Sequence, residues 1–404
     1  MIFQMAWRNI WRNKARSIVI MLSVAIGLLA GIAVLALYKG MMKSRVRTVI
    51  DTEVSHLQVH HPSFTKEDHP AYILPDANNI LHKIGSIPGV QVVAPRSLVQ
   101  GMLVTTTGST GVKINGVIAP LEYNISQLGR KIIAGKGFHQ EKKNEILIGK
   151  KLADKMKLKN GAKLVLTFTD TADNLVSSAF RVAGIYRSGN APLDEVNVYV
   201  PMTTLNELLQ TGNAFHEIAV LLKSDEDLQN VQEQIKKTYP KLLVESWKEL
   251  SPETELMVNT VDTYSYIIML IILVALAFGI LNTMLMSVLE RTKEIGMMMA
   301  LGTARVRIFW LVLVETVFLT LAGTPVGLLA AYLAINYFQK AGLDLSGMGK
   351  DMMASFGFET TIYPSFPWEK LLVIMLMVIG TALISCLMPA LKALRLRPVE
   401  ALRR

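Results

Sequence analysis

Cysteine is almost missing: the 404 residues hold one, Cys386. A single thiol excludes an intrachain disulfide, and its place inside an apolar run argues against redox chemistry. No G-x-x-x-x-G-K-[ST] occurs either, so this stretch of chain binds no ATP through a P-loop. Charge is scarce, with 18% charged residues against 51% hydrophobic ones and a mean hydropathy of +0.36. That is too apolar for a soluble protein of this size and too polar for one wholly in lipid, which leaves a few spans joined to a water-exposed domain. The net charge of +10 raises nucleic acid, but no nucleic-acid motif accompanies it. Part of the excess flanks the apolar runs, where membrane topology accounts for it, so no nucleic-acid partner is expected.

Four runs are long and apolar enough to cross a bilayer: 18–37, 266–288, 308–337 and 371–389. Twenty residues at about 1.5 Å each cover about 30 Å, one hydrocarbon thickness. Before the first run, residues 1–17 carry Arg8, Arg12, Lys14 and Arg16 with no acid, and Trp7 and Trp11 stand one helical turn apart beside Phe3 and Ile10. This reads as an amphipathic interfacial helix on an anionic leaflet. The first run is longer than a signal core and no A-x-A site ends it, so it is expected to remain as a span. Pro389 is expected to end the fourth span, and 390–404 form a basic tail.

No run between residues 53 and 262 is long and apolar enough to span, so 38–265 read as two stalks and one large domain of mixed α/β punctuation. Its two ends look alike. Residues 56–60, a helix near 78–87 and 90–99 make one strand–helix–strand unit; 218–222, a helix near 225–239 and 242–246 make another. Short strand candidates lie between at 102–106, 112–118, 145–148, 164–169, 180–186 and 196–200. A helix near 204–209 opens with Thr204 and Glu207 at capping-box spacing. The expected architecture is a split βαβ subdomain (54–100 and 213–250) with a β-rich subdomain (101–212) inserted into it. The fold class is thus membrane α plus extracytoplasmic α/β, four transmembrane helices with the large domain between the first and second.

Charge sets the orientation. Basic residues around the first span are tied, but Arg291, Lys293, Arg305 and Arg307 mark the loop at 289–307, and Lys392, Arg395, Arg397, Arg403 and Arg404 mark the tail. The loop at 338–370 holds more acids than bases. The positive-inside bias places both termini and the 289–307 loop in the cytoplasm and the large domain outside.

That loop contains ERTKEIGMMMALG, residues 290–302. Charges of both signs cannot sit in hydrocarbon, so it surfaces at one face of the bilayer. As a helix it sets Glu290 near Lys293 and Arg291 near Glu294. Ile295, Met298 and Met299 line another side, Leu301 follows, and Gly302 suits the helix end. An exposed, soft methionine surface of this kind suits a partner's groove; a plain interfacial loop is the alternative.

Other chemistry is thin, and no catalytic residues are found. His56, His60, His61 and His69 cluster in sequence, but no cysteine or H-E-x-x-H completes a metal shell, and surface histidines are expected. Glu315 lies within the third span and must face protein or water; a structural hydrogen bond and a proton or substrate role are both open. Gly323 and Gly327 form a G-x-x-x-G suited to close helix packing, with Pro325 between them. Ten lysines crowd 130–163, which reads as a solvated face or a contact for an acidic partner or lipid head groups.

AWRNIWRNKARS, ERTKEIGMMMALGTARVRIF and MPALKALRLRPVEALRR, in that order, resemble the FtsX/MacB/LolC–LolE superfamily of ABC-transporter permeases, over nearly the whole chain. SHLQVHHPSF, VESWKEL and GIYRSGNAPLDEVNVYVPMTTLNELL look like its lipoprotein-releasing LolC/LolE branch. TDTADNLVSS stands where that branch carries a chaperone-binding hook, and it has neither Pro nor Arg. The resemblance implies a non-catalytic permease subunit in a bacterial inner membrane, paired with a second permease copy and a dimer of ABC ATPase subunits that hold ATP and Mg. Residues 290–302 would be its coupling helix, and motion rather than solute would pass through the spans. It implies release of lipoproteins, with a lipoprotein substrate and a periplasmic chaperone as partners. A MacB-like efflux or signalling permease and a membrane-anchored adaptor or sensor are the alternatives.

Overall fold

The computed structural model describes residues 4, 5, 8, 12, 14–138, 144–348, 353, 358 and 361–395. Trp7, Trp11, Phe3, Ile10, Lys142, Lys143 and the tail arginines Arg397, Arg403 and Arg404 lie outside the described residues. The chain divides into two compact units.

The first unit comprises Met1–Met42, Asn259–Leu343 and Thr361–Arg404. Four helices, Lys14–Thr48, Pro252–Glu290, Arg305–Ala341 and Leu371–Leu394, carry segments long and apolar enough to cross a membrane. Each is longer than its apolar run. The first and second continue through the polar stretches read as stalks, because helix propagation continues wherever propensity allows and does not stop at the lipid boundary. The fourth does not end at Pro389. It runs through that buried proline to Leu394, with Ala390 and Ala393 buried beyond it. Packing of small residues outweighs the one hydrogen bond the proline removes.

Small side chains set how closely these helices approach. A Cβ on Gly323 would lie 2.7 Å from the Met21 carbonyl oxygen, and one on Gly327 would lie 2.8 Å from the Ala25 Cα. The G-x-x-x-G of the third span therefore receives the first span, backbone against backbone. The third and fourth spans meet where the Thr316 hydroxyl donates to the Cys386 sulfur at 2.9 Å. At the far end of the first span, the Ser365 N–H donates to the Ala36 carbonyl at 3.0 Å and Lys39 pairs with Glu369 at 2.8 Å.

The second unit comprises Lys43–Val258 and Asp344–Thr360. Its strands are β1 Leu57–His60, β2 Val90–Thr105, β3 Gly108–Val117, β4 Ile132–Gly135, β5 Glu145–Gly149, β6 Lys163–Thr169, β7 Leu175–Tyr186, β8 Asn197–Pro201, β9 Glu217–Leu222 and β10 Leu243–Ser246. The order β10-β1-β9-β2 is a split βαβ sheet, with helices Ala77–Gly85 and Leu228–Thr238 contributing to its core. From β2 the order continues β3-β8-β5-β7, and β6 pairs with both β7 and β2, closing a six-stranded ring with β4 added on β7.

Two strands expected at 90–99 and 102–106 are one. A Cβ on Gly101, which lies between the two, would be 2.7 Å from the Thr167 carbonyl oxygen, so glycine is what lets β6 pair with β2 there. Arg96 stands where β2 changes partners, pairing with Glu217 of β9 and with Val117 of β3. Its buried guanidinium donates twice to Glu122 and once to Glu217, each at 2.8 Å.

The helix at Met202–Leu209 follows Pro201, so Thr204 lies inside it and makes no cap. The reciprocal capping box is instead that of Ser246 and Glu249, flanking buried Trp247. The histidines are not a surface set. His56 and His60 are buried, His56 against Asp225 at 2.9 Å and His60 against Gln58 at 3.1 Å. His61 stacks on Tyr72, and His69 pairs with Asp173 at 2.8 Å. Within the crowded lysines, Lys150 pairs with Asp154 and Lys155 with Glu195. TDTADNLVSS forms a tight β6–β7 turn, with Asp170 accepting from the N–H groups of Ala172 and Asn174 at 2.8 and 2.9 Å. Those amide donors, Asn174 foremost, hold the Asp170 carboxyl below its ordinary range.

Candidate functional site: the loop between the second and third spans

The helix of the second span stops at Glu290, and Arg291 breaks the helical path at φ −97°, ψ 19°. A short helix, Thr292–Ala300, follows. It closes on Gly302 at φ +87°, where the Thr303 N–H reaches the Met298 carbonyl at 3.0 Å and the Gly302 N–H reaches Met299 at 3.1 Å. This Schellman pattern needs a left-handed residue, which glycine supplies without a Cβ penalty.

The outward face differs from the one expected. Ile295 is buried, and Met298 and Met299 are half-buried against the apolar core of the spans. Met297 at 54% and Leu301 at 81% are exposed, together with Glu290, Lys293, Ala300 and Gly302. Residues 295–302 are apolar on every side, so periodicity could not say which side would meet the spans.

Polar anchors hold the loop. Arg291 donates to Glu294 at 3.2 Å and to both oxygens of Glu315 at 3.0 and 3.1 Å. Glu294 also accepts from Arg12. The arginine neighbours, Arg12 first, hold the Glu294 carboxyl below its ordinary range. Glu315, expected to face protein or water, is buried in the third span and faces Arg291. Removing one partner of such a buried pair costs about 3–5 kcal/mol, whereas the exposed Arg12–Glu294 contact is worth about 0–1 kcal/mol. The pairing with Arg12 has no sequence signal beyond a basic residue in an interfacial stretch. Among the described residues, no three His, Cys, Asp or Glu side chains gather as a metal site.

Residues 17–238 match the MacB-like periplasmic core domain. The chain belongs to that family. Residues 266–398 of this MacB-like protein match the FtsX-like permease C-terminal domain, so it is a multi-pass membrane permease of the FtsX/MacB superfamily. It is 28% identical over 230 residues to an uncharacterized ABC transporter permease of Methanocaldococcus jannaschii, covering 55% of each chain. It is 26% identical over 352 residues to the macrolide export ATP-binding/permease protein MacB of Aggregatibacter actinomycetemcomitans, covering 81% of this chain and 52% of that one. The chain thus spans about half the length of these curated relatives. Among solved structures it is similar to the periplasmic region of MacB from Actinobacillus actinomycetemcomitans, at 14% identity and a TM-score of 0.37, covering 53% of this chain and 97% of that one. The name MacB on the second of these curated relatives matches the MacB-like alternative better than the finer resemblance to LolC and LolE.

Proposed function

We propose that this MacB-like chain is the permease of an ABC transporter that works by transmitting motion and exports a small molecule or peptide. The observation that carries this reading is the loop helix Thr292–Ala300, which is anchored to the third span through Arg291 and Glu315 while Met297 and Leu301 remain exposed. An apolar pair flanked by Glu290 and Lys293 suits a groove in an ABC ATPase subunit, which would hold ATP and Mg. In this reading the termini and the loop are cytoplasmic, the large domain is periplasmic, and the spans lie in the inner membrane beside a second permease copy. The MacB relatives favour export over lipoprotein release, as does the tight turn at TDTADNLVSS.

The test is photo-crosslinking in cells from p-benzoylphenylalanine at Met297, with buried Ile295 as the control position. The expected result is capture of a protein with a P-loop from Met297 and none from Ile295. Capture lacking any P-loop protein sinks the docking assignment. For the substrate, depletion is expected to raise sensitivity to exported compounds while outer-membrane lipoproteins sort normally. Lipoproteins stranded in the inner membrane would return the reading to lipoprotein release.

A further inference from the structure

Three ion pairs run in series from water into the span region. Arg12 meets one Glu294 oxygen, Arg291 meets the other at 3.2 Å, and Arg291 reaches Glu315 at 3.0 Å. Side-chain exposure falls along the series: 54% for Arg12, 44% for Glu294, 13% for Arg291 and 8% for Glu315. The outer contact is open to water and salt, and the inner one is shielded from both.

Arg291 is also where the backbone leaves the second-span helix before the loop helix begins. A break of this kind is a natural hinge, because its dihedrals can change without dismantling either helix. Its side chain spans to Glu315, where Nη1 lies 3.1 and 3.0 Å from the two carboxylate oxygens, a charge-assisted contact shielded from water. Rotation about the joint must therefore strain or break that pair.

We propose that Arg291 and Glu315 are positioning residues that lock the joint between second span and loop helix to the third span, with Glu294–Arg12 as a releasable outer tie. Displacement of the loop helix is then passed to the third span and is not absorbed by the joint. This deepens the coupling reading and rests on it for its purpose, but the lock itself needs no partner to be measured.

The test uses the full chain in lipid nanodiscs with Cys386→Ser, Leu301→Cys and Leu321→Cys, spin-labelled at the two exposed positions, and reads the distance distribution by pulsed electron resonance. The parent is expected to show one narrow distance, unchanged in 1 M NaCl. Arg291→Gln and Glu315→Gln should each broaden it at least twofold, and the reversed pair Arg291→Glu with Glu315→Arg should narrow it again. Single variants as narrow as the parent overturn the proposal. So does a reversed pair as broad as the single variants, which separates pairing from loss of fold. So does salt broadening of the parent. A narrow distance with no ATPase captured at Met297 would remove only the coupling reading; a loose joint with an ATPase captured would remove only the lock.

Discussion

At the residue scale, several of this protein's buried polar groups are matched to defined partners, among them Arg96 and His216. His216 shows what that matching demands. Its Nδ1 accepts from the Leu98 N–H at 3.0 Å and its Nε2 hydrogen bonds the Pro70 carbonyl at 2.9 Å. The ring is then neutral, with its proton on Nε2, and a second proton would face the Leu98 donor. Burial pushes the His216 pKa below its ordinary value, and burial does the same to His60. A depressed folded value means that the unfolded chain binds more protons, so stability is full above the ordinary histidine range of about 6.5 and is lost as pH falls through it towards the folded value. Hydrogen exchange on the full chain, corrected for intrinsic rates, should show weaker protection of β1 and β2 at pH 5.5 than at 7.5. His216→Gln should flatten that difference. Equal protection at both pH values would contradict the assignment.

At the scale of elements, glycines decide where backbones touch. Gly327 packs on Ala25 and Gly323 on Met21, so a larger side chain cannot be absorbed by a rotamer change alone. Overpacking of this kind costs about 1–3 kcal/mol. Gly327→Leu should lower the melting temperature of the detergent-purified chain, while the same change at Gly347, where a Cβ meets nothing within 4 Å, should leave it unaltered. An unchanged melt for Gly327→Leu would show that the first and third spans do not meet there. The G-x-x-x-G announced this contact in sequence because helical spacing alone puts both glycines on one face. Gly101, between two expected strands that are one, carried no such signal, since in one dimension a strand glycine and a strand end look alike.

For the whole molecule, the chain is four apolar helices with a mixed α/β domain inserted between the first and second, and the topology proposed from the charge pattern puts that domain outside and the 289–307 loop in the cytoplasm. In a Cys386→Ser background, an impermeant maleimide applied to intact cells with a permeable outer envelope should label Leu175→Cys, exposed in the large domain. It should not label Leu301→Cys in the loop until the cells are opened. The reverse pattern would invert the topology.

Sequence by itself determined the four long apolar helices and the α/β character of the inserted domain, because hydrophobic length and residue period act locally. Only the tertiary structure decided that Met297 and Leu301 face outward where Ile295 and Met298 do not. It alone joined Arg12, Glu294, Arg291 and Glu315, placed Arg96 between Glu122 and Glu217, and closed β6 onto β2. The physical reason is distance along the chain: ion pairs and strand closures between remote residues form only when packing delivers both partners, and no local period carries that information.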